Sequence, residues 1–174
     1  MTQSLSNFTG LIRSAEWSAV HLEMRDTYAI PNEDKGFAAW RQGHRLDPDD
    51  RASWWRPWLD VVQEVTAKGV HVRRARIVSE PPSEYIRYEH SFTFTNIAAG
   101  EEIRWLPRQA ASGLDLPEYD FWLFDNHLVQ FNIFDGEGRW VHTDQTYDQA
   151  AVGLCAGAFE AVWERAIPHD KYAI

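Results

Sequence analysis

The chain has 174 residues, of which 44% are apolar, 25% charged and 14% aromatic; that balance excludes a disordered chain and suits one domain with its own core. A formal charge of −9 repels a phosphate backbone, so no direct nucleic-acid binding is expected. The single cysteine, Cys155, cannot form an intrachain disulfide, residues 1–10 lack the pattern of a signal peptide, and no apolar run reaches the roughly 18 residues of a membrane span, so a cytoplasmic protein with no membrane partner is expected.

Asn7 is placed to cap a first helix, with Phe8, Leu11, Ile12, Ala15 and Ala19 at helical spacing. Residues 18–25 read two ways: Val20, Leu22 and Met24 alternate with His21 and Glu23 as in a strand, yet the same run could extend the helix. A short helix is predicted over 32–41, then a polar loop over 42–51. Pro57 suits the first turn of the next helix, and Gly69 stands where a helix C-terminal glycine belongs. Residues 70–80 are rich in β-branched side chains and are closed by Pro81 and Pro82, which predicts a strand. A helix opens at Pro82 or Ser83 and runs to Gly100, and a strand follows over 102–107. Two apolar runs, 120–125 and 128–134, lead to an Asp135-Gly136 turn, and 139–143 pairs back. Thr146 and Gln149 form a capping box for a last helix that Pro168 ends.

This order predicts a mixed α+β (α/β) fold: a mixed sheet of about five strands with a β-α-β unit, a β-meander and flanking helices. It is read as one domain over 1–174, with a helical N-terminal part over 1–69 and the sheet and C-terminal helix over 70–174.

Four runs carry a family resemblance: Arg76 to Pro81, Ser83 to Glu89, Gly100 to Arg108 and Asp120 to Asp125. They resemble an actinobacterial family of unknown function, and the likeness extends over nearly the whole chain. Members are often encoded beside helix-turn-helix regulators, so the resemblance implies an accessory regulatory role with such a regulator as partner. At the level of fold the chain is also similar to phospholipase-D-like domains. Their chemistry needs a His and a Lys two apart, with an Asp four residues beyond the Lys. Here His169 and Lys171 are the only such pair and no Asp follows, so this likeness implies a non-catalytic relative.

Alternation sets Arg74 and Arg76 on one strand face with Val72 and Val78. Guanidinium groups on an apolar face need an acidic answer. Open α/β sheets bind ligands at the carboxyl ends of their strands, so Arg74 and Arg76, joined by Glu80, Tyr85, Arg87, Arg104, Trp105, Asp120 and Trp122, form a candidate pocket for a small anion. The plainer alternative is an internal ion-pair network, Arg76 with Glu80 or Glu89 and Arg87 with Asp120. Trp54 and Trp55, with Arg51 and Arg56, suit partner binding or a homodimer contact, or else a lid over the core. No metal-ligand spacing, nucleophile elbow or P-loop is present, and no cofactor is expected. Two functions fit: a non-enzymatic regulatory or binding module, or a small hydrolase or transferase acting on a phosphate-containing substrate, with Glu80 or Asp120 as base.

Overall fold

The computed structural model describes residues 2–29 and 34–174. In chain order the elements are α1 (Thr2–Ser14), β1 (Ser18–Glu23), α2 (Asp34–Arg41), α3 (Arg51–Trp54), α4 (Pro57–Ala67), β2 (His71–Val78), α5 (Glu84–Ala98), β3 (Glu102–Pro107), β4 (Asp120–Phe124), β5 (Leu128–Phe134), β6 (Trp140–Thr146), α6 (Gln149–Arg165) and β7 (Ile167–Pro168). One sheet holds all seven strands in the order β6-β5-β4-β1-β2-β3-β7. The β1–β2 and β2–β3 pairs are parallel, and every other pair is antiparallel.

Local chemistry explains most boundaries. Pro57 opens α4 with its φ already set, and Gly69 ends it at φ 94°. The Ser83 hydroxyl accepts from the Ile86 N–H to cap α5. Gly100 then turns the chain at φ 103°, where a Cβ would stand 2.7 Å from the Thr66 hydroxyl. The predicted β-α-β unit is β2-α5-β3, and the meander is β4-β5-β6.

Four expectations change. The sheet has seven strands, because residues 18–23 form a strand buried on both faces and Ile167–Pro168 adds two residues beside β3. The N-terminal part is therefore not purely helical: it supplies β1, which lies between β4 and β2. Asn7 lies inside α1, which begins at Thr2. Asp148, not Thr146, caps α6 by accepting from the Ala151 N–H at 2.9 Å, while Thr146 accepts from the Asp148 N–H. Of the helix predicted over 32–41, positions 32 and 33 lie outside the described residues.

The sheet is covered on both faces. Val20, Leu22, Ala75, Ile77, Leu106, Phe121 and Leu123 pack under Phe159 and Val162 of α6. On the opposite face Ala19, Val72, Trp122 and Phe124 meet α1 and α4, and Val78, Ile103 and Trp105 meet Tyr85 and Ile86 of α5. The face under α1, α4 and α5 carries the polar groups described below.

Asp125 fastens the start of β1. It and Asn126 sit at φ 51° in the β4–β5 turn, a conformation short polar side chains tolerate. The Asp125 carboxylate accepts the N–H groups of Glu16, Trp17 and Ser18 at 2.8–2.9 Å. Asp125→Ala leaves three amides without that acceptor and is expected to lower the unfolding free energy by about 2 kcal/mol in urea titration, with Asp125→Asn intermediate.

Candidate functional site

The register of the two central parallel strands builds a polar square. His21 lies opposite Arg74 and Glu23 opposite Arg76. On the flanks, Trp122 of β4 is paired with His21 and Trp105 of β3 with Arg76. The His21 ring stacks on Trp122 with centroids 4.3 Å apart. The Arg76 guanidinium lies 5.5 Å from the Trp105 ring and that of Arg74 lies 5.9 Å from Trp122. Aromatic walls thus enclose two cations.

Those cations are answered from inside. Arg74 Nε donates to Glu101 at 2.7 Å and its Nη1 to Glu23 at 3.2 Å. Arg76 Nη2 donates to Glu89 at 2.5 Å. Its Nε stands 3.0 Å from Glu23 at an angle that makes an ion pair rather than a hydrogen bond. Beyond Glu101 the chain of contacts continues through Asn96, whose amide donates to Glu101 at 2.6 Å, to Arg56, which donates to Thr95 and Asn96. Arg76, Glu89 and Glu101 are all buried.

The charge states follow from this packing. Burial alone would raise the Glu23 carboxyl, but Arg76 and Arg74 outweigh it and hold it at about 2. Burial opposes the charge on both arginines, yet the facing glutamates raise their pKa above the ordinary value. His21 is driven down to about 3 by burial, with the two arginines adding to the effect against Glu23. Asp120 is pushed up to about 6 by burial, with Glu23 assisting; the Tyr28 hydroxyl and the Met24 N–H, both donating to it, restrain the rise.

The residues singled out from the sequence separate into groups. Arg74, Arg76, Trp105 and Trp122 share this face, with Asp120 at its edge and Tyr85 packed on Tyr28 beside it. Arg104 is paired with Ala75 and so faces α6, where its guanidinium covers Trp163 at 4.3 Å and donates to the Trp163 carbonyl. Arg87 is exposed on α5 and takes no part in the ion-pair chain. Glu80 is exposed and accepts the Tyr172 hydroxyl at 3.1 Å; the acid facing Arg76 is Glu89. Asp120 bonds Tyr28 and Met24, not Arg87. Trp54 is buried with Leu59, Val62 and Ala99, and its indole donates to the Asp47 carbonyl. Trp55 is half-buried beneath the Arg51 guanidinium and donates to Asp60.

Sequence reasoning missed His21, Glu23 and Glu101 as members of the square. A signal existed: β1 carries polar residues at i and i+2, as does β2, which is what two facing parallel strands with a shared polar patch require. It also missed the group at the carboxyl ends of the parallel strands. There Asp26 accepts from the Ser79 N–H and hydroxyl at 2.7 and 2.6 Å, and Arg108 donates to Ser79, Asp26 and the carbonyls of Met24 and Ile77. The cation at that edge is Arg108, while Arg74 and Arg76 lie inside the strand. Among the described residues no three His, Cys, Asp or Glu side chains gather as metal ligands. His169 is half-buried and accepts the Trp105 indole N–H at Nδ1, and Lys171 is exposed.

This mixed sheet with helices on both faces is similar in fold to several solved structures. The chain superposes on the phospholipase D family member Nuc from Salmonella typhimurium with a TM-score of 0.52 at 10% identity, covering 94% of this chain and 89% of that one. NucT from Helicobacter pylori gives 0.55 at 11% identity, covering 96% and 91%. The archaeal chromatin protein TrmBL2, described as showing a novel mode of DNA binding, gives 0.51 at 15% identity; 94% of this chain spans half of that protein. At such identities the likeness is one of fold. By sequence the chain belongs to the family DUF6879, a domain of unknown function, which matches residues 6–174. No curated protein matches it by sequence.

One expectation falls here. The charge of −9 argues against nucleic acid, but a protein described as DNA-binding shares this fold. A net charge is a sum over the whole chain and does not fix the potential at any one surface, so the exclusion does not stand. As to membranes, no described helix is long and apolar enough to cross one.

Proposed function

We propose that this domain is a non-enzymatic binding module on a phospholipase-D-like fold. The observation that supports it is the dispersal of the groups a phosphate-handling enzyme would need in one place. Arg74 and Arg76 are held by Glu23, Glu89 and Glu101, Arg104 faces the other side of the sheet, Arg87 is exposed and Glu80 is tied to Tyr172. A guanidinium whose charge is already met by buried carboxylates offers little to an incoming phosphate. His169, in the one His-x-Lys pair, has an imidazole nitrogen committed to Trp105.

The test is turnover. Purified protein incubated with bis-p-nitrophenyl phosphate and with short single- and double-stranded DNA, with and without divalent cations, is expected to release no product above buffer. Hydrolysis that follows the protein through purification and disappears in His169→Ala or Glu80→Gln would overturn the proposal.

A further inference from the structure

We infer that the outer edge of β6 is a docking edge for an extended, basic peptide segment that joins the sheet as a further strand. This rests on the binding-module reading and names the kind of partner.

The edge is open over most of its length. β6 ends the sheet order; at its start Ala29 bridges to Arg139 and donates to the Gly138 carbonyl, and among the described residues no strand lies beyond His142 to Thr146. All seven of its residues are exposed or half-buried, in contrast to the five buried residues of β4. An incoming strand therefore meets no helix layer on either side. At the other end of the sheet the last strand is only the two residues of β7. Sheets normally guard a long edge with lysine, proline or a bulge. β6 contains neither lysine nor proline, and its one bulge, at Val141, lies towards the Trp140 end, which leaves His142 to Thr146 in regular pairing with β5.

The chemistry of the edge selects the partner. Val141 is 51% exposed, Trp140 46% and Tyr147 61%, so apolar and aromatic surface flanks the free edge of His142 to Thr146. The charge there is acidic. Asp144 is exposed, Tyr119 lies in the field of both Asp144 and Glu118, and Asp148 follows just beyond the strand. The neighbouring cation, Arg139, is taken by Asp135 and Glu137 at 2.8 and 2.6 Å. Lysine or arginine on an added strand gains both the carboxylates and the aromatic faces. A second copy would bring one chain of −9 against another, which disfavours self-pairing. Strand addition draws affinity from main-chain hydrogen bonds and selectivity from alternate side chains, and β6 offers both.

Fluorescence anisotropy with labelled octapeptides tests this. The probe alternates lysine and valine; one control replaces lysine by glutamate, and another carries N-methyl groups on alternate amides. The lysine peptide is expected to bind and both controls to bind at least about tenfold more weakly, as does the lysine peptide on Asp144→Lys. Asp144 is exposed, so that variant keeps its fold. Raising salt from roughly 50 to 300 mM should weaken the lysine peptide, because exposed charges are screened over that range. Absence of binding, binding indifferent to N-methylation or to Asp144→Lys, or sedimentation of the free protein as a dimer through this edge would each overturn the inference. Diester hydrolysis with peptide binding intact would strike the binding-module reading alone.

Discussion

Arg76→Ala is expected to destabilise the fold by about 3–5 kcal/mol, read as a fall in the urea midpoint, because it leaves Glu89 and Glu23 charged and buried with too little opposite charge. Arg76 is 6% exposed and Glu89 3%, so water cannot replace the lost guanidinium. Arg73, one residue from Arg74, is the internal control. It faces α6, pairs with the half-exposed Glu160 and lies over Phe159. A pair so open to solvent contributes about 0.5 kcal/mol or less, apart from the packing of its stem. The double substitution Arg76→Met with Glu89→Leu should recover part of the loss, since removing both partners of a buried pair costs less than removing one. It will not recover all of it, because Glu23 then rests on Arg74 alone. If Arg76→Ala instead behaves like Arg73→Ala, the ion-pair square is not a structural element.

The same square shows what a single sequence can reveal. Alternation along β2 set Arg74 and Arg76 on one face with Val72 and Val78, and the structure agrees, because period-two geometry is local. The need for an acidic answer was also legible, since it follows from burying charge. Which acid answers was not. Glu80 is four residues from Arg76 but leaves the sheet with the chain, whereas Glu89 returns on α5 and Glu23 comes from 53 residues upstream on β1. Arg104 fails for a related reason. A strand's inward residues are known from its own alternation only up to a choice of face, and the β2–β3 register, which aligns Arg104 with Ala75, makes that choice. Residues 18–25 were ambiguous because the alternation of Val20, Leu22 and Met24 with His21 and Glu23 follows directly on the helical spacing that reaches Ala19, and so short a run fits either period.

Stability is expected to change little between about pH 6 and pH 4 and then to fall steeply, because two buried groups oppose each other. His21 has its folded pKa lowered from 6.5 to about 3, so the unfolded chain takes up the proton first. Its contribution is full above pH 6.5 and is lost as pH drops towards 3, at most roughly 4–5 kcal/mol. Asp120 runs the other way. Its folded pKa is raised from 3.8 to about 6, so the folded state holds the proton more tightly. Lowering the pH from 6 to 3.8 therefore adds stability, roughly 3 kcal/mol at most. The half-exposed His169, lowered to about 4 by burial and by His90, adds a smaller loss of the same sign as His21. Below pH 4 the Asp120 gain is complete while His21 still titrates. Glu23, lowered from 4.5 to about 2, begins to lose its contribution as well. Two variants separate the slopes in urea titrations taken at steps of pH. His21→Phe keeps a ring against Trp122 and removes the titrating nitrogen that has no hydrogen-bond partner, so stability should rise as pH falls from 6 to 4. Asp120→Asn removes the opposing group, so loss should begin at pH 6.5 instead of 4. Parallel profiles for the wild type and both variants would mean that neither buried group is linked to folding in this range.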